Sequence, residues 1–139
     1  MNGKVFVISA PSGTGKTTLT YAALNQLKDK YSVERIVTYT TRAQRPSEIP
    51  GVDYHFISEN EFKKKIQIGF FFEWSTWYGT YYGLPASFLD KVQQGVSCIM
   101  ILDRYGARAI KQRYAGAILV WLEPESLEVL RDRLIGRGD

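Results

Sequence analysis

The sequence predicts an α/β fold in which a parallel sheet is flanked by helices and carries a strand-rich insertion. Residues 4–9, 97–102 and 117–122 are continuously apolar instead of alternating, as strands covered on both faces of a parallel sheet are. Each is followed by a stretch with helical character, which gives the alternation of strand and helix that winds a parallel core. Between the first and second of these units, residues 35–84 gather β-branched and aromatic side chains that favour pleated backbone.

In chain order, residues 4–9 read as a buried strand that runs into a glycine-rich turn. Leu19, Ala22, Ala23 and Leu27 then recur at helical spacing. Residues 33–40 are β-branched and strand-like, whereas residues 42–50 hold Pro46, Ser47 and Pro50 and predict a loop. Ser58 and Glu61 stand three apart ahead of Phe62-Lys63-Lys64-Lys65-Ile66. A hydroxyl at the cap and a carboxylate three positions on satisfy orphan N–H groups, so a helix starts here and ends near Gly69. Residues 70–82 are dense in aromatics, and Gly79 divides them into one or two short strands. A helix is predicted over 85–94, with Pro85 in its first turn and Gly95 as its stop. Helices over 106–114 and 125–135 follow the last two strands.

A chain of 139 residues suits one hydrophobic core, and 45% apolar with 23% charged residues is ordinary for a folded domain. The longest apolar runs, Val5-Phe6-Val7-Ile8 and Ala117-Ile118-Leu119-Val120-Trp121-Leu122, are strand-sized. Spanning a bilayer takes about 20 residues, so no membrane segment is expected. The N-terminal stretch has one Lys4 and a short apolar run, unlike a secretory signal, and a cytoplasmic protein is expected. Cys98 is the only cysteine, which excludes an internal disulfide and a cysteine-built metal site. Eighteen basic residues against fourteen acidic ones give a net charge of +4 and favour anionic partners, nucleotides and nucleic acids alike. No nucleic-acid-binding motif is present, and Lys63-Lys64-Lys65 reads as a solvated helix face. His55, the only histidine, has no partner pattern for catalysis or metal binding, and a structural or surface role is expected.

The strongest local motif is Ala10-Pro11-Ser12-Gly13-Thr14-Gly15-Lys16-Thr17, placed between the first strand and the first helix. It matches the phosphate-binding loop except that Ala10 replaces the leading glycine. Gly13 and Gly15 let backbone N–H groups turn in around phosphate oxygens, and the helix N-terminus adds partial positive charge. Lys16 would bridge the β- and γ-phosphates, with the site continuing to Thr18. Thr17 offers a hard oxygen to Mg²⁺, and Asp103, ending an apolar strand, is the candidate acidic partner for that ion. The alternative is an ordinary glycine-rich strand-to-helix turn.

Further on, Thr40-Thr41-Arg42-Ala43-Gln44-Arg45-Pro46 precedes Gly51-Val52-Asp53-Tyr54-His55-Phe56, Glu73-Trp74 and Tyr81-Tyr82-Gly83. Together with Ser9-Ala10-Pro11-Ser12-Gly13 and Leu134-Ile135-Gly136-Arg137-Gly138, this set closely resembles guanylate kinase over essentially the whole chain. The resemblance implies a P-loop NTPase core over residues 1–34 and 85–124, a nucleoside-monophosphate-binding insertion over about 35–84, and the start of a lid over about 125–139. Read alone, Arg42 and Arg45 are a basic surface patch in a proline-containing loop. The resemblance implies instead that they hold the phosphate of GMP with Tyr54 and Tyr82, a task suited to guanidinium forks and phenolic donors. Glu73 lies amid Phe70, Phe71, Phe72, Trp74 and Trp77, where a carboxylate without donors is costly to bury. Guanine offers N1–H and N2–H side by side, and adenine has no such pair. Thr38 stands where family members place a serine and keeps the hydroxyl that reaches the base. Arg133 and Arg137, four apart on the last helix, share a face with Arg131 and Asp132 nearby, which alone suggests solvation. By resemblance they belong to the lid that closes over ATP and neutralise charge on the transferring phosphoryl group. The implied reaction is phosphorylation of GMP to GDP by Mg²⁺ and ATP, with Lys16, Arg133 and Arg137 as the catalytic residues.

The chain departs from the family pattern in three places. Leu84 stands where relatives carry a serine or threonine that contacts the base, so Leu84→Ser is expected to sharpen base selection. Ile101 and Tyr105 occupy positions usually held by Asp and Gln, leaving Asp103 as the sole carboxylate of the strand-end motif. The sequence stops at Asp139 inside the expected lid, so a piece of a longer chain is expected. Two rival functions follow: a catalytically weak or inactive guanylate-kinase-like module that binds a phosphorylated partner, and a nucleic-acid binder.

Overall fold

The computed structural model describes residues 2–9 and 16–121, with only the backbone of Lys16 and Thr17. Its elements are β1 (Val5–Ser9), α1 (Lys16–Leu27), β2 (Val33–Ile36), β3 (Tyr39–Thr40), β4 (His55–Phe56), α2 (Glu59–Gln67), β5 (Phe71–Trp77), β6 (Thr80–Pro85), α3 (Phe88–Gln93), β7 (Ser97–Ile101), α4 (Arg104–Arg113) and β8 (Ile118–Trp121). The helix expected over 125–135 lies outside the described residues. Among the described residues no helix is long and apolar enough to cross a membrane.

Two sheets form. The first is parallel, in the order β2-β7-β1-β8, and the second runs β4-β3-β6-β5 with one parallel and two antiparallel pairings. Parallel strands need long crossover connections, usually helical, and α1, α3 and α4 lie on the connections between the parallel strands. Val5, Val7, Cys98 and Met100 of the two central strands are buried and join Ile36, Phe88, Val92, Ala107 and Ile110 in one cluster. Cys98 is fully buried there, and burial pushes its thiol up to about 11.

Four sequence expectations need correction. The strand expected over 33–40 is two: β2 pairs with β7 in the parallel sheet, and β3 pairs with β4 and β6 in the other. A continuous β-branched run cannot reveal that its halves pair with different sheets. The two-residue strand β4 lies in a segment whose composition gave no strand signal. Pro85 does not open a helix but closes β6 opposite Phe71, and α3 begins at Phe88. A proline at a strand end gives up no ladder hydrogen bond that the sheet needs. Finally, among the described residues β8 stands at one end of the strand order, and its residues are between 37% and 49% exposed instead of buried.

Elsewhere the local signals act as expected. Ser58 caps α2, accepting from the Glu61 N–H at 3.1 Å and donating from its hydroxyl to Glu61 Oε1 at 3.2 Å. Gly69 ends that helix with φ 71°. Tyr78 and Gly79 form the two-residue connection between β5 and β6, with φ 49° and 77°, the left-handed pair that a type I′ hairpin requires.

Candidate functional site

The topology sets up the site. β1, β2 and β7 point their C-terminal ends the same way, and in open α/β sheets ligands bind outside those ends. β1 ends there at Ser9, Asp103 follows β7 there, and residues 37 and 38 leave β2 there to enter the second sheet. Residues 10–15, Arg133 and Arg137 lie outside the described residues, as do the side chains of Lys16 and Thr17. Thr18 is exposed near the start of α1.

The second sheet has two unlike faces. Paired residues in neighbouring strands point the same way. The register Thr40↔Phe56, Thr40↔Tyr82, Ser75↔Tyr82 and Glu73↔Leu84 therefore places Glu73, Tyr82 and Phe56 on one face. The opposite face is closed by α2, whose buried Phe62 stacks on Phe71 at 4.4 Å and meets Tyr81 at 5.1 Å. Gly83 is obligatory in that layer, because a Cβ there would sit 2.6 Å from the Phe71 ring and 2.9 Å from Phe62.

Arg42, Tyr54 and Tyr82, separate in sequence, converge on the open face. The Arg42 guanidinium lies 5.3 Å from the Tyr54 ring centre, and the Tyr54 and Tyr82 rings are 6.2 Å apart. The Thr40-Thr41-Arg42 motif gains a mechanical explanation: buried Thr40 accepts from the Arg42 N–H at 3.1 Å and donates to the Tyr81 carbonyl at 2.9 Å. Glu48 grips the Arg42 fork with two bonds of 2.9 and 2.8 Å and accepts the Arg45 N–H at 2.8 Å. Partial burial pushes the Glu48 carboxyl up, but the hydrogen bonds from Arg42 and Arg45 and their charges outweigh it and hold the group below the ordinary carboxylate range. Arg42, hydrogen-bonded to Glu48, is held above its ordinary value and is a permanent cation. Burial, reinforced by Tyr82, raises the Tyr54 phenol, which stays protonated and able to donate. A fixed cation beside a protonated phenol is an anion-binding arrangement.

Sequence reading missed three supporting residues. Glu48 is one. Arg35 on β2 donates to the Tyr21 hydroxyl at 2.7 Å and to the carbonyl of Val52, and so ties the loop carrying Tyr54 to the parallel core. Arg113, the last residue of α4, donates to the Phe72 carbonyl and to Glu73 Oε2 at 3.2 Å. None belongs to a recognisable motif.

Thr38 is buried at the junction between the two sheets, where its carbonyl accepts the His55 N–H at 2.8 Å. His55 packs against the Tyr39 ring at 4.6 Å, and burial followed by the charge of Lys65 lowers its pKa. Asp103 caps α4, its Oδ1 accepting from the Gly106 N–H at 2.7 Å. Among the described residues no group of three or more acidic, histidine or cysteine side chains could hold a metal by themselves. One exposed carboxylate is compatible with Mg²⁺ carried on a nucleotide, since that ion keeps most of its shell as phosphate oxygen and water. Leu84, which pairs with Glu73 across the two strands, is 2% exposed and packed in the core cluster.

The family model described as Guanylate kinase matches residues 2–139. A guanylate kinase from Symbiobacterium thermophilum is 41% identical over 137 residues, covering 98% of this chain and 64% of its own length. One from Maricaulis maris is 44% identical over 138 residues, covering 98% of this chain and 62% of its own. The chain thus spans less than two thirds of the length of these curated relatives. The crystal structure of guanylate kinase from Anaplasma phagocytophilum superposes with a TM-score of 0.74 at 30% identity, covering 99% of this chain and 69% of that one. On its sequence, its two-sheet architecture and this match, the chain belongs to the guanylate kinase family.

Proposed function

We propose that this chain carries the catalytic function of its family, phosphorylating GMP to GDP at the expense of ATP in the cytoplasm. The observation that supports it best is the convergence of Arg42, Tyr54 and Tyr82 on the sheet face that also bears Glu73. That face offers a cation and phenolic donors to a phosphate, and a carboxylate two strand positions away to a base. Glu73 accepts the N1–H and N2–H of guanine, with the Thr38 hydroxyl as a further contact, and Arg42 and Arg45 take the GMP phosphate with Tyr54 and Tyr82.

ATP sits on the loop from Ala10 to Thr18, with Lys16 against its β- and γ-phosphates and Arg133 and Arg137 over the transferring group. Thr17 and Asp103 would hold Mg²⁺ carried on ATP, and the ion would supply charge neutralisation between the phosphates. The acceptor phosphate is already an oxyanion, so no general base is required, and the protein's work is positioning and electrostatic stabilisation. The rival reading, a module that binds a phosphorylated partner without catalysis, leans on Leu84 and Ile101; the place of Leu84 in the hydrophobic cluster accounts for its apolar character.

The test compares kcat/KM for GMP, IMP and AMP in wild type and Glu73→Gln, on the protein encoded by the complete gene. GMP should exceed IMP, and IMP should exceed AMP. Each charge-assisted hydrogen bond is worth about 1.5 to 3 kcal/mol, so Glu73→Gln should weaken GMP use about tenfold or more. Equal use of AMP and GMP by the wild type would overturn the assignment.

A further inference from the structure

We infer that Arg113 is a positioning residue for base selection: from the end of α4 it fixes the Glu73 carboxylate in the orientation that meets guanine. The inference rests on the reading of Glu73 as the base acceptor.

Three features of the structure lead to it. First, β5 is irregular where it matters. Phe71 pairs with Pro85 and Glu73 with Leu84, so Phe72 is left over as a bulge. Bulges re-aim the neighbouring side chain and leave a carbonyl outside the ladder. The Phe72 carbonyl is the one that Arg113 takes.

Second, Arg113 meets the bulge through three contacts at once. It donates to the Phe72 carbonyl and to Glu73 Oε2 at 3.2 Å, and its guanidinium lies 4.2 Å from the Phe72 ring centre. A planar fork held on a ring face and a backbone oxygen has little freedom left, so the carboxylate it grips is oriented as well as neutralised. Sharing is chemically possible. An ionised carboxylate has about four lone-pair positions, and guanine's two N–H groups and one guanidinium N–H do not exhaust them.

Third, α4 is a rigid base for this grip. Ala107 and Ile110 are buried in the core, and Ile110 lies one turn before Arg113 on nearly the same face. β5 lies along the helix: Trp77 stacks on Tyr105 at 6.3 Å at one end, and Glu73 meets Arg113 at the other. The span from Glu73 to Trp77 is about 13 Å of strand, and that from Tyr105 to Arg113 is about 12 Å of helix, so both contacts form without distortion.

The experiment uses wild type, Arg113→Met, Arg113→Lys, Glu73→Gln and the Arg113→Met/Glu73→Gln double variant of the protein encoded by the complete gene. Methionine keeps an unbranched stem on the Phe72 ring, and the Arg113 side chain is 52% exposed, so the fold should survive, as a thermal melt will verify. The readout is the GMP-over-IMP ratio of kcat/KM, with the KM for ATP as control. Arg113→Met should lower the ratio about two- to fivefold, the size of a partly exposed ion-pair contact, mainly through the KM for GMP. Arg113→Lys should fall between, and the KM for ATP should not move. In the Glu73→Gln background Arg113→Met should change the ratio no further. An unchanged ratio in Arg113→Met beside a collapsed one in Glu73→Gln overturns this inference and leaves the role of Glu73 standing. An equal loss for GMP and IMP marks a general structural effect and also overturns it. An unchanged ratio in Glu73→Gln removes the base-reading role itself, and the inference with it.

Discussion

Replacing Glu48 by glutamine tests the anion site at the point where sequence offered least. Glu48 Oε1 accepts from both Arg42 Nη1 and the Arg45 N–H, and Oε2 accepts from Arg42 Nη2. A glutamine keeps the first oxygen but turns an N–H₂ toward Arg42 Nη2, removing one charge-assisted bond and setting donor against donor. The Arg42 and Glu48 side chains are only 19% and 10% exposed, so solvent replaces little of the loss. The expected destabilisation is about 1.5 to 3 kcal/mol. With an unfolding entropy of roughly 2.1 cal/mol/K per residue, this lowers Tm by about 5 to 10 °C. The pH dependence has a definite sign. The folded-state pKa of Glu48 is depressed, so its stabilisation is complete above the ordinary carboxylate range and is lost as pH falls through the lowered value. The melting difference between wild type and Glu48→Gln should therefore be full at neutral pH and shrink in acid. A Tm within about 1 °C of wild type at neutral pH, or a difference that grows in acid, would refute this account of how Arg42 is held.

Three further outcomes are expected. Leu84→Ser should cost about 3 kcal/mol or more in urea-induced unfolding, since it removes a 2% exposed side chain from the core cluster and buries a hydroxyl there. Gly83→Ala should cost about 1 to 3 kcal/mol in the same assay, because the added methyl overlaps the rings of Phe71 and Phe62. Lys16→Ala should abolish ATP-dependent transfer in a coupled assay while leaving the far-UV circular dichroism and Tm close to wild type, and full activity in that folded variant would remove the proposed phosphate-loop mechanism.

What sequence made legible, and what it hid, follows from the range of the interactions involved. The parallel core was readable because strands buried on both faces leave uninterrupted apolar runs, as Cys98-Ile99-Met100 does in β7. The α2 cap was readable because Ser58 and Glu61 interact within one turn. The helix α1 was found where expected, but its apolar spacing did not mark the buried face: Leu19 is 51% exposed while Thr20 is fully buried. In the site, the short-range pieces of the Arg42 and Tyr54 motifs were visible, whereas the partners that hold them were not. Arg35 reaches Val52, and Arg113 reaches Glu73 across 40 positions, and pairing at such separations leaves no periodicity to detect. Asp103 carries a second role that its residue type did not announce, because a carboxylate that ends a strand can also cap the next helix.

The burial of Cys98 opens an optical route to the motions of this molecule. Its thiol, fully enclosed and pushed up to about 11, is almost entirely un-ionised at neutral pH, and thiolate is the species that maleimides attack. No other cysteine occurs in the chain, so the unaltered protein should be nearly silent to such reagents. A cysteine introduced at Tyr78, which is 92% exposed at the tip of the β5–β6 hairpin, could then be labelled selectively. A second, on the exposed face of α1, would complete a dye pair reporting the separation of the two sheets in solution as nucleotides are added.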